Sequence, residues 1–178
     1  DSFSQRAINV ATSLPFLALG YSLLKRTSTS EGRQYAHSML AVGTAATLYH
    51  ASAGPFRRIA RKIDYWTIAV SSTYMIKATV APQNQLARTA LHASLLAIPF
   101  KPLTISTMYT LAMQADYARQ ALAHKSMRPH FNRHVLASAA SGVAFALEDY
   151  IADRGFGHVH GIWHLLAAAG VASVNPLI

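Results

Sequence analysis

The stretch AINVATSLPFLALGYSLL, residues 7–24, contains no charged residue over eighteen consecutive positions. Eighteen residues is roughly the minimum length for a helix that crosses the hydrocarbon core of a bilayer. Pro15 interrupts the stretch, and membrane helices tolerate proline better than helices in water do. The stretch therefore predicts a first transmembrane helix.

Further apolar segments follow along the chain, separated by short polar or basic connections. They cover residues 34–52, 63–80, 86–100, 102–120, 135–147 and 158–176. Together with the first segment, they predict an all-α fold: an integral membrane bundle of seven transmembrane helices that forms a single domain over residues 1–178. The alternative is a soluble, mostly buried helical bundle, which the short uncharged runs of the two middle segments favour.

The composition also indicates a membrane protein. Charged residues make up 13% of the chain and hydrophobic residues 52%, whereas about 25% of an ordinary soluble domain is charged. The net charge of +9 comes from short clusters, such as KRTSTSEGR (25–33) and RRIARK (57–62), which are typical of loops that contact anionic headgroups. We therefore expect a multi-pass integral membrane protein, in a membrane such as that of an organelle, with membrane lipids and no nucleic acid as partners.

Four candidate metal-binding side chains are predicted to lie on one side of the bundle. The chain has no cysteine, so a transition-metal site must use histidine, aspartate or glutamate. Successive spans alternate in direction, which brings together the end of the second segment and the starts of the third and the last. Those places hold His50, Asp64 and the pair His160 and His164. The pair is spaced i and i+4 and shares a helix face.

Three imidazoles at this place predict a zinc site whose fourth position is open to water, the arrangement of a catalytic zinc. Asp64 has two candidate roles in such a site. It binds the metal directly, or it hydrogen-bonds the metal-bound water and accepts its proton. A structural alternative for Asp64 is an interfacial cap that begins a helix or pairs with Arg61 or Lys62.

The other histidines are weaker candidates. His158 lies two residues before His160 and off the shared face, so we expect it to orient a partner or to meet solvent. Two lie within apolar segments without predictable neighbours: His37 and His92. The basic stretch AHKSMRPHFNRH (123–134) predicts a loop that faces solvent or headgroups, and it contains His124, His130 and His134.

Two blocks of the sequence resemble a known family of membrane proteins. The block ATLYHASAGPFRRIARKIDYWTIAVSSTYMI (46–76) is similar to the second and third spans of the hemolysin III proteins and of the progestin and adiponectin receptor family, with a histidine, a basic loop and an aspartate in order. The block HVHGIWHLLAAAG (158–170) is similar to that family's seventh span, where a His-x-x-x-His pair precedes small apolar residues. The wider grouping includes the alkaline ceramidases.

The resemblance implies a cofactor and an activity. The cofactor is zinc, with His50, His160 and His164 as its ligands and Asp64 as the residue that holds the zinc-bound water. The activity is hydrolysis of a ceramide-like lipid amide within the bilayer, with the zinc-bound water as nucleophile. One position departs from the pattern, because the family serine four residues before the span-two histidine is Ala46 here.

Ala46 leaves a second hypothesis open. In this hypothesis the chain is a non-catalytic seven-helix membrane protein, or a subunit of a larger membrane complex, that keeps the fold with or without the metal. Thr47 is a poor substitute for the serine, because one residue turns about 100° around a helix. A third hypothesis is ligation of haem by two histidines, although a pair four residues apart on one helix suits a small ion better.

Overall fold

The structure is a computed structural model that describes residues 2–80 and 85–178. These residues form helices and no strands, so the predicted all-α class is confirmed for them. The α helices are α1 (Phe3–Arg26), α2 (Ser30–Ala51), α3 (Phe56–Thr79), α4 (Gln85–Ser94), α5 (Pro102–Ala123), α6 (Arg128–Ala146), α7 (Glu148–Ala152) and α8 (Val159–Ala172). Short 3-10 segments follow α4, α5 and α8: Leu95–Ala97, Lys125–Met127 and Asn175–Leu177.

The short connection between α2 and α3 determines where His50 and Asp64 lie. Gly54 turns the chain with a φ of +60°, a conformation that glycine adopts without steric cost. Arg57 donates a hydrogen bond from Nη1 to the carbonyl oxygen of Tyr49 at 3.2 Å, which satisfies a carbonyl group at the end of α2. As a result, His50 at the end of α2 and Asp64 two turns into α3 lie at the same end of the bundle.

Six helices surround a central cavity of about 390 Å³. α2 packs between α1 and α3, and α3 also packs against α5. α8 packs between α1 and α6. The remaining neighbours, α5 and α6, touch only weakly, so the ring of helices is loosest along this seam.

The prediction of seven transmembrane helices is wrong. Among the described residues one helix, α1, is long and apolar enough to cross a membrane, with a mean hydropathy of 1.5. α4 has 10 residues and α8 has 14, which corresponds to roughly 15 and 21 Å against the ~30 Å of a bilayer core. α3 is longer but carries six charged residues. One candidate helix near the N-terminus does not establish the predicted multi-pass membrane placement.

Two basic stretches that were predicted to be loops are partly or wholly helical. α3 begins at Phe56, so RRIARK (57–62) forms its first turns. α6 begins at Arg128, so the second half of the stretch 123–134 belongs to that helix. Lysine and arginine are good helix formers, so a cluster of basic residues does not by itself indicate a loop.

A glycine allows α1 and α2 to cross closely. A Cβ atom at Gly20 would lie 2.9 Å from the carbonyl oxygen of Ala36 and 2.9 Å from the backbone nitrogen of Leu40. These are backbone atoms of α2, and they cannot rotate away as the end of a side chain can. The distance between the two helices therefore depends on the missing side chain.

We expect Gly20→Ala to lower the free energy of unfolding by about 1–3 kcal/mol, because the added methyl group overpacks the crossing. Gly142→Ala on α6 is the matched control, since a Cβ atom there would meet nothing within 4 Å. Alanine should stabilise that helix by about 0.5–1 kcal/mol relative to glycine. Chemical denaturation measures both variants, and wild-type stability in Gly20→Ala would contradict the close crossing.

Candidate metal centre

Three histidines from two helices meet beside the central cavity, and one of them, His164, lines its wall. His50 lies in the last turn of α2, and His160 and His164 lie in the first turns of α8. His50 and His164 are buried, while His160 is partly buried. One ring nitrogen from each lies within 4.8 Å of the others. The structure therefore brings these three predicted residues close enough to bind a metal ion.

A glycine on α8 brings that helix against α1. A Cβ atom at Gly161 would lie 2.9 Å from Cγ2 of Ile8 and 3.4 Å from Oγ1 of Thr12. Because glycine leaves this space free, Oγ1 of Thr12 lies only 3.1 Å from Nδ1 of His164. α1 thus positions His164, a candidate metal ligand on α8.

Hydroxyl groups on α1 determine the tautomer of His164. Oγ1 of Thr12 donates to the carbonyl oxygen of Ile8 at 2.9 Å, and Oγ of Ser13 donates to the carbonyl oxygen of Asn9 at 2.7 Å. Because both hydroxyl protons are engaged, Thr12 accepts a hydrogen bond from Nδ1–H of His164. Nε2 of His164 then carries the lone pair that a metal ion requires.

Glu148, the first residue of α7, orients the ring of His160. Its Oε1 lies 2.8 Å from Nδ1 of His160, and an ionised carboxylate can only accept hydrogen bonds. Nδ1 of His160 therefore carries a proton, and in the neutral ring Nε2 carries the lone pair. Histidine ligands of metals commonly donate their second N–H to a carboxylate, which fixes the tautomer and raises the basicity of the ligand.

The spacing of two ring nitrogens fits a zinc ion. Nε2 of His160 lies 3.3 Å from Nε2 of His50, and two nitrogen ligands of a tetrahedral zinc ion at about 2.0–2.1 Å lie about 3.4 Å apart. Two lone pairs at this separation repel each other unless a cation or a proton lies between them. In the described part of the chain, Nδ1 of His50 is buried without a hydrogen-bond partner. His50 is thus held by packing, whereas the other two rings are held by hydrogen bonds.

Burial keeps two of the histidines neutral. Desolvation lowers the pKa of both His50 and His164 to about 3, and repulsion from neighbouring histidines acts in the same direction. A neutral imidazole is the form that binds a metal ion. These two rings are therefore in their metal-binding protonation state at neutral pH.

Asp64 lies in the wall of the same cavity. It is 6% exposed, and its Oδ1 has no hydrogen-bond partner among the described residues. Desolvation raises the pKa of Asp64 to about 7, against an opposing attraction to His160. The alternative role as a helix cap is wrong, because α3 begins at Phe56 and Asp64 lies inside it. Among the described residues, neither Arg61 nor Lys62 nor any other residue forms an ion pair with Asp64.

Ala46 occupies the cavity wall one turn before His50. It is 4% exposed and lines the cavity. The hydroxyl oxygen of the adjacent Thr47 is buried and has no hydrogen-bond partner in the described residues. Where the resembling family has a serine, Ala46 therefore presents a methyl group to the cavity instead of a hydroxyl group.

Several side chains that shape the site were not predicted from the sequence. They include Thr12, Ser13 and Glu148, described above, and Trp163, whose ring centroid lies 5.1 Å from that of His160 and 5.2 Å from that of His164. For Glu148 the sequence offers one indication: the acidic stretch EDYIAD (148–153), which begins with this residue, directly follows an apolar segment. The residues on α1 carry no such signal, because their partner His164 lies more than 150 positions away in the sequence.

The remaining histidines lie outside the cluster. His158 is the half-buried residue before α8. Four others are exposed or half-buried: His37, His92, His124 and His130. His134 contradicts the prediction of a residue that faces solvent or headgroups, since it is 2% exposed. The reason is that α6 already begins at Arg128 and turns this side chain towards α8.

Comparison of the sequence with models of known protein families and with curated proteins finds no match. The resemblance to the hemolysin III proteins and the progestin and adiponectin receptors therefore stays a prediction. What the structure defines is a class of site: three histidines in a bundle of helices, close enough to bind one metal ion.

We expect Glu148→Gln to weaken the binding of Zn²⁺ by about 10- to 100-fold, the usual effect of removing a carboxylate that supports a histidine ligand. Glutamine keeps the size of the side chain but not the charge that increases the basicity of His160. Competition with a chelator measures the affinity. Asp149→Asn is the matched control, since Asp149 is exposed and adjacent. Unchanged affinity in Glu148→Gln would show that the carboxylate does not act on the ligand.

Proposed function

We propose that this protein is a zinc-dependent hydrolase of ceramide-like lipid amides. The observation that carries the proposal is the cluster of three histidines, with Nε2 of His50 and Nε2 of His160 3.3 Å apart and with His164 in the wall of a cavity. Three nitrogen ligands leave a fourth position open, as catalytic zinc sites do. Asp64 lies in the wall of the same cavity and supplies a carboxylate.

In this proposal His50, His160 and His164 hold the zinc ion. Bound zinc supplies Lewis acidity, which polarises a carbonyl group and makes water a nucleophile near neutral pH. Asp64 accepts the proton of the attacking water and returns it to the nitrogen of the leaving amine. A pKa raised to about 7 suits a group that must accept and donate a proton at neutral pH. Its carboxylate is not among the ligand atoms that lie within 4.8 Å of one another, which favours the proton-transfer role over direct ligation.

The cavity suits an apolar chain. Its volume of about 390 Å³ lies within the range of about 300–1,000 Å³ that is common for ligand sites. Along α8 its wall runs from His164 to Val171, about 10 Å of helix. Apolar side chains on several helices line it, among them Met39, Val42, Ile68, Met75 and Ala167. An acyl chain that extends from the histidines would therefore meet mostly apolar surface.

The seam between α5 and α6 offers a route into the cavity. Several residues that line the cavity are also exposed, and they lie on these two helices: Leu103 and Leu111 on α5, and Gly142 and Phe145 on α6. A substrate with a long apolar chain can enter sideways here.

The proposal is tested by metal analysis and by hydrolysis of ceramide in detergent micelles. We expect about one zinc ion per chain, as for a single three-histidine site, and release of fatty acid that stops with a chelator and returns with Zn²⁺. His37→Ala is a matched control, because His37 is exposed on α2 and lies outside the cluster. Absence of zinc binding, or release of fatty acid that does not depend on zinc, would refute the proposal.

Ala46 favours a second candidate function, a non-catalytic metal-binding protein that acts within a larger membrane complex. The methyl group in the cavity wall offers no hydroxyl group to a substrate at that position. Ala46→Ser separates the two candidates. Hydrolysis by the wild type supports the enzyme, whereas zinc binding with hydrolysis only in Ala46→Ser supports the non-catalytic protein.

A further inference from the structure

The far end of the central cavity holds a second cluster of polar side chains around His134. This histidine on α6 is 2% exposed and lines the cavity. Its Nδ1 lies 2.9 Å from Oγ of Ser173 and 3.2 Å from the carbonyl oxygen of Gly170. Its Nε2 lies 3.3 Å from Oγ of Ser138, one turn further along α6. The cluster thus connects α6 to the end of α8.

The hydrogen bonds determine which atoms remain available to a ligand. Oγ of Ser173 donates to the carbonyl oxygen of Gly170 at 2.6 Å, so it accepts from Nδ1–H of His134. Nε2 of His134 then accepts the hydroxyl proton of Ser138. Burial lowers the pKa of His134, which is consistent with a neutral ring. Ser138, which lines the cavity, therefore presents its oxygen atom as an acceptor.

Further polar groups line the same cavity as Ser138. Ser141 lies on the same helix, and Thr110 and Gln114 lie on α5. In the described part of the chain, the side chains of these three residues form no hydrogen bond with other residues. These side chains are half-buried, so water satisfies them in the free protein, and a ligand that displaces this water must replace its hydrogen bonds. A plain hydrocarbon chain cannot do so, whereas a chain with a hydroxyl group can.

We infer that this cluster is a second binding site, which binds a hydroxyl group on the acyl chain of the ligand. The hydroxyl group donates to Oγ of Ser138 and accepts from the amide of Gln114 or the hydroxyl of Ser141. Gly170 follows His164 by six residues, about 9 Å along α8. The ligand class is therefore an acyl chain of medium length with a hydroxyl group at its far end. The position of the carbonyl group at the histidines rests on the proposed function.

The test compares the binding of octanoic acid and ω-hydroxyoctanoic acid to the zinc-loaded protein by isothermal titration calorimetry. One additional hydrogen bond should make the hydroxy acid bind about five- to tenfold more tightly. Ser138→Ala should remove this preference and leave the affinity for octanoic acid unchanged. Ser106→Ala is the matched control and should keep the preference, because Ser106 lines the cavity but donates its proton to the carbonyl oxygen of Leu103.

A third ligand makes the test independent of any variant. ω-Methoxyoctanoic acid cannot donate a hydrogen bond, and it should bind no more tightly than octanoic acid. Three results would overturn the inference: equal binding of octanoic and ω-hydroxyoctanoic acids, a preference that survives Ser138→Ala, or no binding of either acid. A hydroxyl preference in a protein that hydrolyses no lipid amide would refute the proposed function and leave this binding site standing.

Discussion

Replacing His164 with alanine is expected to abolish zinc binding. Zinc sites with a few protein ligands bind with about 10–16 kcal/mol, so each ligand contributes several kcal/mol and its loss lowers the affinity about a thousandfold or more. His164 is 3% exposed, and no other histidine of the described residues is close enough to replace it. Elemental analysis after dialysis measures the effect.

Two controls separate loss of the ligand from loss of the fold. His37→Ala should keep its zinc, because Nδ1 of His37 lies against the carbonyl oxygen of Arg33 on the surface of α2. His164→Ala also removes the hydrogen bond with Thr12, so the unfolding of the metal-free proteins must be compared. A folded His164→Ala protein that still holds stoichiometric zinc would show that the cluster is not the metal site.

Asp64→Asn is expected to lower kcat for ceramide by about 10²- to 10⁴-fold, the range for loss of a general base. Zinc content should stay unchanged, because Asp64 is not among the clustered ligand atoms. Steady-state kinetics and metal analysis of the same preparation distinguish the two roles of this residue. Loss of zinc from Asp64→Asn would identify Asp64 as a ligand, and an unchanged kcat would exclude it as the base.

The same substitution has a predictable effect on the stability of the metal-free protein. Burial raises the pKa of Asp64 from 3.8 to about 7, so between these values the folded state binds more protons than the unfolded state. Stability is therefore lost as the pH rises through this window. Near pH 8 we expect Asp64→Asn to be more stable than wild type by about 2–4 kcal/mol, with the difference disappearing towards pH 4. Urea denaturation at the two pH values measures it.

The sequence predicted the histidine cluster from simple regularities. The i, i+4 spacing of His160 and His164 places two rings on one helix face, because the helical repeat alone determines it. His50 joins them because it lies at the end of a helix that runs opposite to α8. The placement of His50 rested on seven segments that alternate in direction, and this alternation does not itself require a membrane.

The membrane prediction failed because a lack of charge measures how apolar a segment is, and not how long a helix it forms. The segment 158–176 has no charged residue, yet its α helix is Val159–Ala172, with 14 residues. The supporting hydrogen bonds were missed for another reason. Thr12 meets His164 across 152 positions, because Gly161 allows α1 and α8 to approach closely. Such a contact becomes visible only when the helices are placed side by side.

The weak seam between α5 and α6 is the most compliant contact in the ring of helices around the cavity. α5 packs against α3 and α6 packs against α8, so each helix is anchored on one side and can yield to a bulky guest on the other. The three histidines and Asp64 lie on α2, α3 and α8, away from the seam. We expect chains of different width to be accommodated by opening the seam, while the distances among the histidines stay constant. The wall formed by α5 and α6 would then determine which substrates fit, while the wall that carries the histidines would hold the reacting groups in fixed positions.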